Sequence, residues 1–340
     1  MQLKNRTAHT LAQLVTLERD GSEHLVVLLK AEWEFDKAGK LTVVPPLEAP
    51  RPADVFRGDP AASSSLGEAE LGPVKPSTDV LLRGSAVARR KDTSVMDVLL
   101  RVGPVRKVVR VFGERRWKRS LLRKGTTEPL PFERVPLIWE HAFGGTDVTP
   151  EDPKHHGAES RNPVGRGFRA RGTKLPWEDE LCPALEDPDD PTGGPGRDGE
   201  PAGFGPIGRG WMPRREYAGT YDERWVSERL PLLPDDFDDR FHNAAPLDQI
   251  CPRYLRGGEP VELVGCVPEG KVSFALPRLT PAFETRLRTR TESAPMVLET
   301  VSLDTDARRL TLLYKGKVRV HGEVPTMRWT ECVLREAEDG

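Results

Sequence analysis

A chain of 340 residues with 51 Lys+Arg against 53 Asp+Glu is close to neutral, which excludes a globally basic nucleic-acid binder. It is long enough to bury a core without disulfide or metal staples, and its longest apolar run, residues 25–29, is far too short to span a bilayer. The 31 Gly and 32 Pro exceed the ~12% usual for the pair and disfavour a helical bundle, since interior Gly costs roughly 1 kcal/mol and interior Pro about 3.

The first residues, MQLKNRTAHTLAQLV, lack a basic stretch leading into an apolar segment, so no secretory signal is expected. Cys182, Cys251, Cys266 and Cys332 are scattered without a C-x-x-C pair. That spacing suits a reducing compartment, and the cytoplasm is the expected location. The first clear strand is 25–36, where Leu29, Ala31, Trp33 and Phe35 alternate with Lys30, Glu32, Glu34 and Asp36. Period 2 predicts a strand with one wet face. A turn at 37–40 and the LTVVPP run make 25–45 a hairpin. Residues 45–78 hold Pro at 45, 46, 50, 52, 60, 73 and 76 and a serine run at 63–65, which reads as a long surface excursion. Strands return at 79–86, 95–102 and 105–112, with weaker candidates at 121–123 and 135–140.

From 143 to 215 Gly and Pro are dense and no period survives, yet Phe168, Trp177, Phe204 and Trp211 punctuate the segment, so most of it is expected to be ordered. The acidic stretch 186–200 has no such anchor and is expected to be mobile. Asp222 and Pro231 bracket a short helix over 222–230. Strands follow at 261–267, 271–276, 297–303 and 310–320, the last two forming a hairpin with Val297, Glu299, Val301 and Leu303 on one face. The fold class is therefore mainly β: an antiparallel β-sandwich or barrel-like frame with few short helices, across which the ordered Gly/Pro-rich region 143–250 lies. The chain reads as one domain over 1–340, or as two β lobes at about 20–140 and 251–320 joined by that middle region.

Candidate chemistry is sparse. Gly203, Gly205 and Gly208 fit G-x-G-x-x-G, but Pro206, Gly210 and Pro213 block the helix a dinucleotide needs, leaving an ordered turn. His155 and His156 are adjacent in a loop and read as a surface pair. Asp235, Asp236, Asp238 and Asp239 do not follow a calcium-loop spacing and are expected to pair with Arg214, Arg215, Arg224 and Arg229. The basic run from Arg110 to Arg119 reads as a solvated strand face and turn. No G-x-S-x-G elbow occurs. Neither a cofactor, a metal nor a nucleic acid is expected as partner.

The chain resembles a family of bacterial type VI secretion effector adaptors and chaperones, a domain formerly of unknown function in type VI secretion loci. The matching blocks run in order: LVVLLKAEWEFDKAGKL (25–41), KPSTDVLLRGSA (75–86), VFGERRW (111–117), PFERVPLIWEHAFGG (131–145), NPVGRGF (162–168), PAGFGPI…W (201–211), GTYDERW (219–225), PDDFDDRFHNAAPLDQ (234–249), LRGGEPVELVG (255–265) and ETVSLDTDARRLTLLYKG (299–316). His242 stands where that pattern usually has an aromatic. The resemblance implies a protein without catalytic activity that binds a toxic effector and helps load it onto the VgrG spike or its PAAR tip. It carries no catalytic residue over. Aromatic and Arg anchors dominate interface energetics, so Phe168, Trp177, Phe204, Trp211, Arg214 and Arg215 are the candidate partner-binding residues. The alternatives are a hydrolase using carboxylates in 235–239 with His242, and a structural component of the secretion particle.

Overall fold

The computed structural model describes residues 2–45, 48–119, 124–170, 173, 178–192 and 199–335. In chain order its main strands are β1 (Gln2–Asn5), β2 (Thr10–Leu17), β3 (Glu23–Phe35), β4 (Leu41–Val43), β5 (Asp79–Arg83), β6 (Val95–Val102), β7 (Val105–Phe112) and β8 (Leu185–Glu186). After helix α1 (Glu223–Glu228) come β9 (Pro260–Val264), β10 (Lys271–Ala275), β11 (Thr280–Arg286), β12 (Thr291–Pro295), β13 (Val297–Asp304), β14 (Arg309–Arg319) and β15 (Trp329–Arg335). The protein is mainly β. The sheets are open, and no helix among the described residues is long and apolar enough to cross a membrane. The expected strand at 121–123 lies outside the described residues.

The central sheet has the order β2-β3-β14-β13-β5, with β4 paired to β3 as the expected hairpin. Its register places Ala31, Leu312, Val301 and Val80 in one row, and Trp33, Leu310, Leu303 and Leu82 in the next. All eight are buried. They face a second sheet, β8-β7-β6-β9-β10, through Val98, Leu100, Val109 and Leu263. Phe35 stacks on Phe274 at 5.4 Å between ring centroids, closing one end of the layer. A third sheet, β1-β15-β11-β12, joins the chain ends and contributes Phe283 to the same core. Gly316 permits that approach, because a Cβ there would lie 2.6 Å from the Pro295 carbonyl oxygen. Both large sheets draw strands from 23–112 and from 260–319. Within these three sheets the pairing is antiparallel except for β1 with β15 and β5 with β13, which are parallel.

Three sequence expectations need correction. The face of β3 carrying Lys30 and Glu32 is not wet: these residues are 3% and 6% exposed, because the excursion 48–75 folds down onto it. Glu299 does not share a face with Val301 and Leu303. A β-bulge between Leu298 and Thr300 inserts one residue, which puts Leu298 in the core and turns Glu299 to the opposite side. The basic run is only partly solvated: Arg110 forks onto Asp97, whereas Arg115 is buried between Phe112 and Glu186.

The described part of the middle region lies across the frame. Gln249 is fully buried and donates from Nε2 to the carbonyls of Val80 at 2.7 Å and Phe204 at 3.0 Å. The Leu82 amide donates to the Phe204 carbonyl, and the Cys251 amide to that of Thr78. These bonds cap the β5 edge of the central sheet, which would otherwise be open for strand pairing. Of the stretch 186–200, Glu186 pairs with β7 and Glu200 forms an ion pair with Arg161, while 193–198 lie outside the described residues.

Candidate functional site

The outer face of the central sheet carries charge across three strands. β3 supplies Lys30 and Glu32, β14 supplies Arg309 and Lys315, and the bulge on β13 supplies Glu299. Charges buried this deeply need partners, and the excursion between β4 and β5 brings them. Glu70 accepts from Lys30 Nζ at 3.3 Å and lies 2.7 Å from the Arg51 guanidinium. Lys75 Nζ lies 3.0 Å from Glu68 and 2.7 Å from Asp79, while its backbone amide donates to Glu299 at 3.1 Å. Lys315 completes the chain on Glu299 at 2.9 Å.

Asp79 opens β5, and its second oxygen accepts from the Asn243 side chain at 2.7 Å. The Ala244 amide donates to its first oxygen at 2.8 Å. Arg214 pairs with Glu68 and donates to the carbonyls of Ile207 and Phe241. The network thus ties the cover, the sheet and the middle region to one another. Burial alone would push the Glu68 carboxyl up, but Lys75 and Arg214 outweigh it and hold it down at about 2. Burial likewise works against the Lys75 ammonium, and Asp79, Glu68 and Glu299 raise it above the ordinary lysine value.

Beside the network a cavity of about 390 Å³ remains between sheet and cover. Its floor is the sheet face, with Glu32, Thr311, Ser302 and Leu81 in one register row and Lys30, Leu313 and Thr300 in the next. Its roof is 64–70, and Trp139 and Leu137 form a side wall. Trp139 is positioned by its indole N–H, which donates to Gly205 at 3.2 Å, and by edge-to-face contact with Trp211 at 6.0 Å. Asn162 donates at 2.8 Å to the carbonyls of both Trp139 and Phe143.

The partner-binding candidates fall in several places. Trp211 is half-buried and packs one side against the core, whereas Phe204 is fully buried and Arg214 is 4% exposed inside the network, so these two are interior. Their spacing among Gly and Pro signalled order, but the order comes from being interior. Phe168 is half-buried, Arg215 is exposed, and Trp177 lies outside the described residues. The acidic cluster is engaged locally: Asp235 pairs with Arg229 at 3.1 Å, Asp236 accepts from Thr220, and Asp238 holds Arg240. Arg214 and Arg224 instead pair with Glu68 and Glu228. His242 packs between Phe237 and Phe241, where burial pushes its imidazole down to about 4, so it is neutral at pH 7.

Among the described residues no three His, Cys, Asp or Glu are placed to hold a metal ion. All four cysteines are free and buried. Burial pushes Cys182, Cys251 and Cys266 up to about 12, far from the reactive thiolate range.

Sequence reasoning missed Glu68, Glu70, Lys75, Glu299 and Lys315. Their signal was present in part: Lys30 and Lys315 each end a largely apolar stretch, 25–29 and 310–314, a setting that calls for a counter-charge if buried. No curated protein and no solved structure matches the chain. The family model DUF2169, described as an uncharacterized protein conserved in bacteria, matches residues 20–315, a span containing every member of the network. The chain belongs to that family, and the ion-paired sheet face lies wholly within its family-matched part.

Proposed function

We propose that this protein is a non-catalytic adaptor that binds a type VI secretion effector in the cytoplasm and helps load it onto the VgrG/PAAR spike. The ordered sequence blocks supply the secretion context. The observation that carries protein binding is an apolar group on and beside α1: Tyr221, Val226 and Leu230 are 53%, 56% and 57% exposed. The segment holding them is fixed from behind. Asp222 caps α1 by accepting from the Trp225 amide at 2.8 Å, Trp225 Nε1 donates to Leu232 at 2.8 Å, and Arg229 donates to the Arg19 carbonyl at 2.8 Å. Apolar side chains on a fixed segment cost little ordering entropy when a partner covers them.

The test is co-purification from cells expressing the secretion system. The wild-type chain is expected to retain a spike, tip or toxin protein. The double variant Val226→Asp, Leu230→Asp should retain at least tenfold less, since charge is placed where apolar contact forms. Its melting temperature should stay nearly unchanged, because both sites are exposed. Absence of any such partner from the wild type, or full retention by the variant, would refute the assignment.

A further inference from the structure

We propose that the cavity on the outer face of the central sheet is a binding site for an organic cation with an aliphatic stem, an alkylguanidinium or alkylammonium group. This site is separate from the α1 surface and does not depend on the adaptor reading.

Most charges on the sheet face are already paired. Lys30 is paired with Glu70, Lys75 with Glu68 and Asp79, and Lys315 with Glu299. Glu32 is the exception. It lines the cavity at 6% exposure, and its Oε2 has no hydrogen-bond partner. The nearest cation, Arg309, stands 3.9 Å from Oε1, beyond hydrogen-bond distance, and its hydrogen bond goes to Glu34 at 3.4 Å. A carboxylate withdrawn from water without a bonded partner is costly, and a cation that donates to it relieves that cost.

A second unpartnered group lies on the same floor. Thr300 Oγ1 is buried without a hydrogen bond, one register row from Glu32 and two strands across, with β14 between them. It is a second free acceptor on the same floor. Leu81, Leu313 and Trp139 supply the apolar lining that an aliphatic stem needs. The space of about 390 Å³ suits a group of this size. Exposed Arg57, Arg83 and Ala307 form the rim, so the cavity has an entrance from solvent.

Calorimetric titration of the full chain with butylguanidine, butylamine and the neutral isostere butylurea tests this assignment. The two cations are expected to bind at one site per chain and to raise the melting temperature, with butylurea at least tenfold weaker. Glu32→Gln should remove that preference and leave the ligand-free protein at least as heat-stable, since it discharges a buried carboxylate whose one ion pair, with Arg309, is long at 3.9 Å. If Glu32→Gln fails to fold, Ser302→Leu fills the neighbouring floor position and should block the cations while keeping the charge.

The capped peptide Ac-Ala-Arg-Ala-NH2 separates the two sources. Binding of the peptide but not butylguanidine identifies a polypeptide side chain as the occupant, and the reverse identifies a free small molecule. Equal binding of butylurea and butylguanidine, unchanged cation binding by either variant, or no binding by any probe near 1 mM would overturn the proposal. That last result would leave water as the occupant.

Discussion

Lys75→Met should lower the unfolding free energy by about 3–5 kcal/mol, the range for removing one partner of a buried charge network. The ammonium lies 2.7 Å from Asp79 and 3.0 Å from Glu68, and the residue is only 7% exposed. Methionine fills similar volume, so the loss would come from charge and not from a cavity. Asp79 would keep its bonds from Asn243 and Ala244, and Glu68 its pair with Arg214. Neither is then neutralised as before. Urea denaturation at pH 7 measures the effect.

The pH dependence adds a second, independent reading of the same network. Glu68 sits at about 2 in the folded protein, against an ordinary value of 4.5. A carboxyl depressed on folding stabilises the protein fully above its unfolded value, and that stability is lost as pH falls through 4.5 towards 2. The contribution is on the order of 3 kcal/mol. Without Lys75 the Glu68 carboxyl rises, so the gap between wild type and Lys75→Met should narrow on acidification through that window. A gap under about 1 kcal/mol that is the same at both ends of the window would show that the network contributes little.

Trp139→Ala should cost about 3–5 kcal/mol, the range for truncating a buried large aromatic. Trp139 is 4% exposed, and Gly203 lies so close beneath its ring that a Cβ there would be 2.7 Å away. The side chain therefore joins the 203–208 turn to the wall of the cavity. Trp139→Phe keeps most of the apolar contact but loses the indole bond to Gly205, and should cost only about 1 kcal/mol more than the packing change. Urea midpoints of the two variants compared with wild type decide this. Equal losses would mean that the indole N–H, not the ring's bulk, holds the turn.

Much of the frame was readable because strands with a half-apolar pattern announce themselves locally. β6 and β7 follow the expected 95–102 and 105–112 bounds, with Val105, Lys107, Val109 and Val111 buried in alternation. The short helix was readable from Asp222 and Pro231 for the same reason, since capping is a contact between near neighbours. The third sheet was not. β1 pairs in parallel with β15 across more than 300 positions, and nothing in either segment names the other.

The site was harder still. Alternation along β3 correctly divided Ala31 and Trp33 from Lys30 and Glu32, but period 2 only assigns faces. Whether a face meets water depends on what lands on it. Here Glu70, forty positions further on, lands on Lys30, and the cover that carries it turns a polar face into an interior one. The bulge at Glu299 shows the same limit, because one inserted residue reversed the side on which a carboxylate points.

By itself, then, the amino-acid order determined the mainly β character, the bounds of the locally patterned strands and the capped helix, because each depends on short-range sterics, alternation and turn chemistry. Only the tertiary structure decided which charges are buried, how they pair, that Phe204 and Arg214 are interior, and that Glu32 faces a cavity without a bonded partner. Those properties depend on contacts between distant segments, and the free energy of a buried charge is set by its neighbours in space.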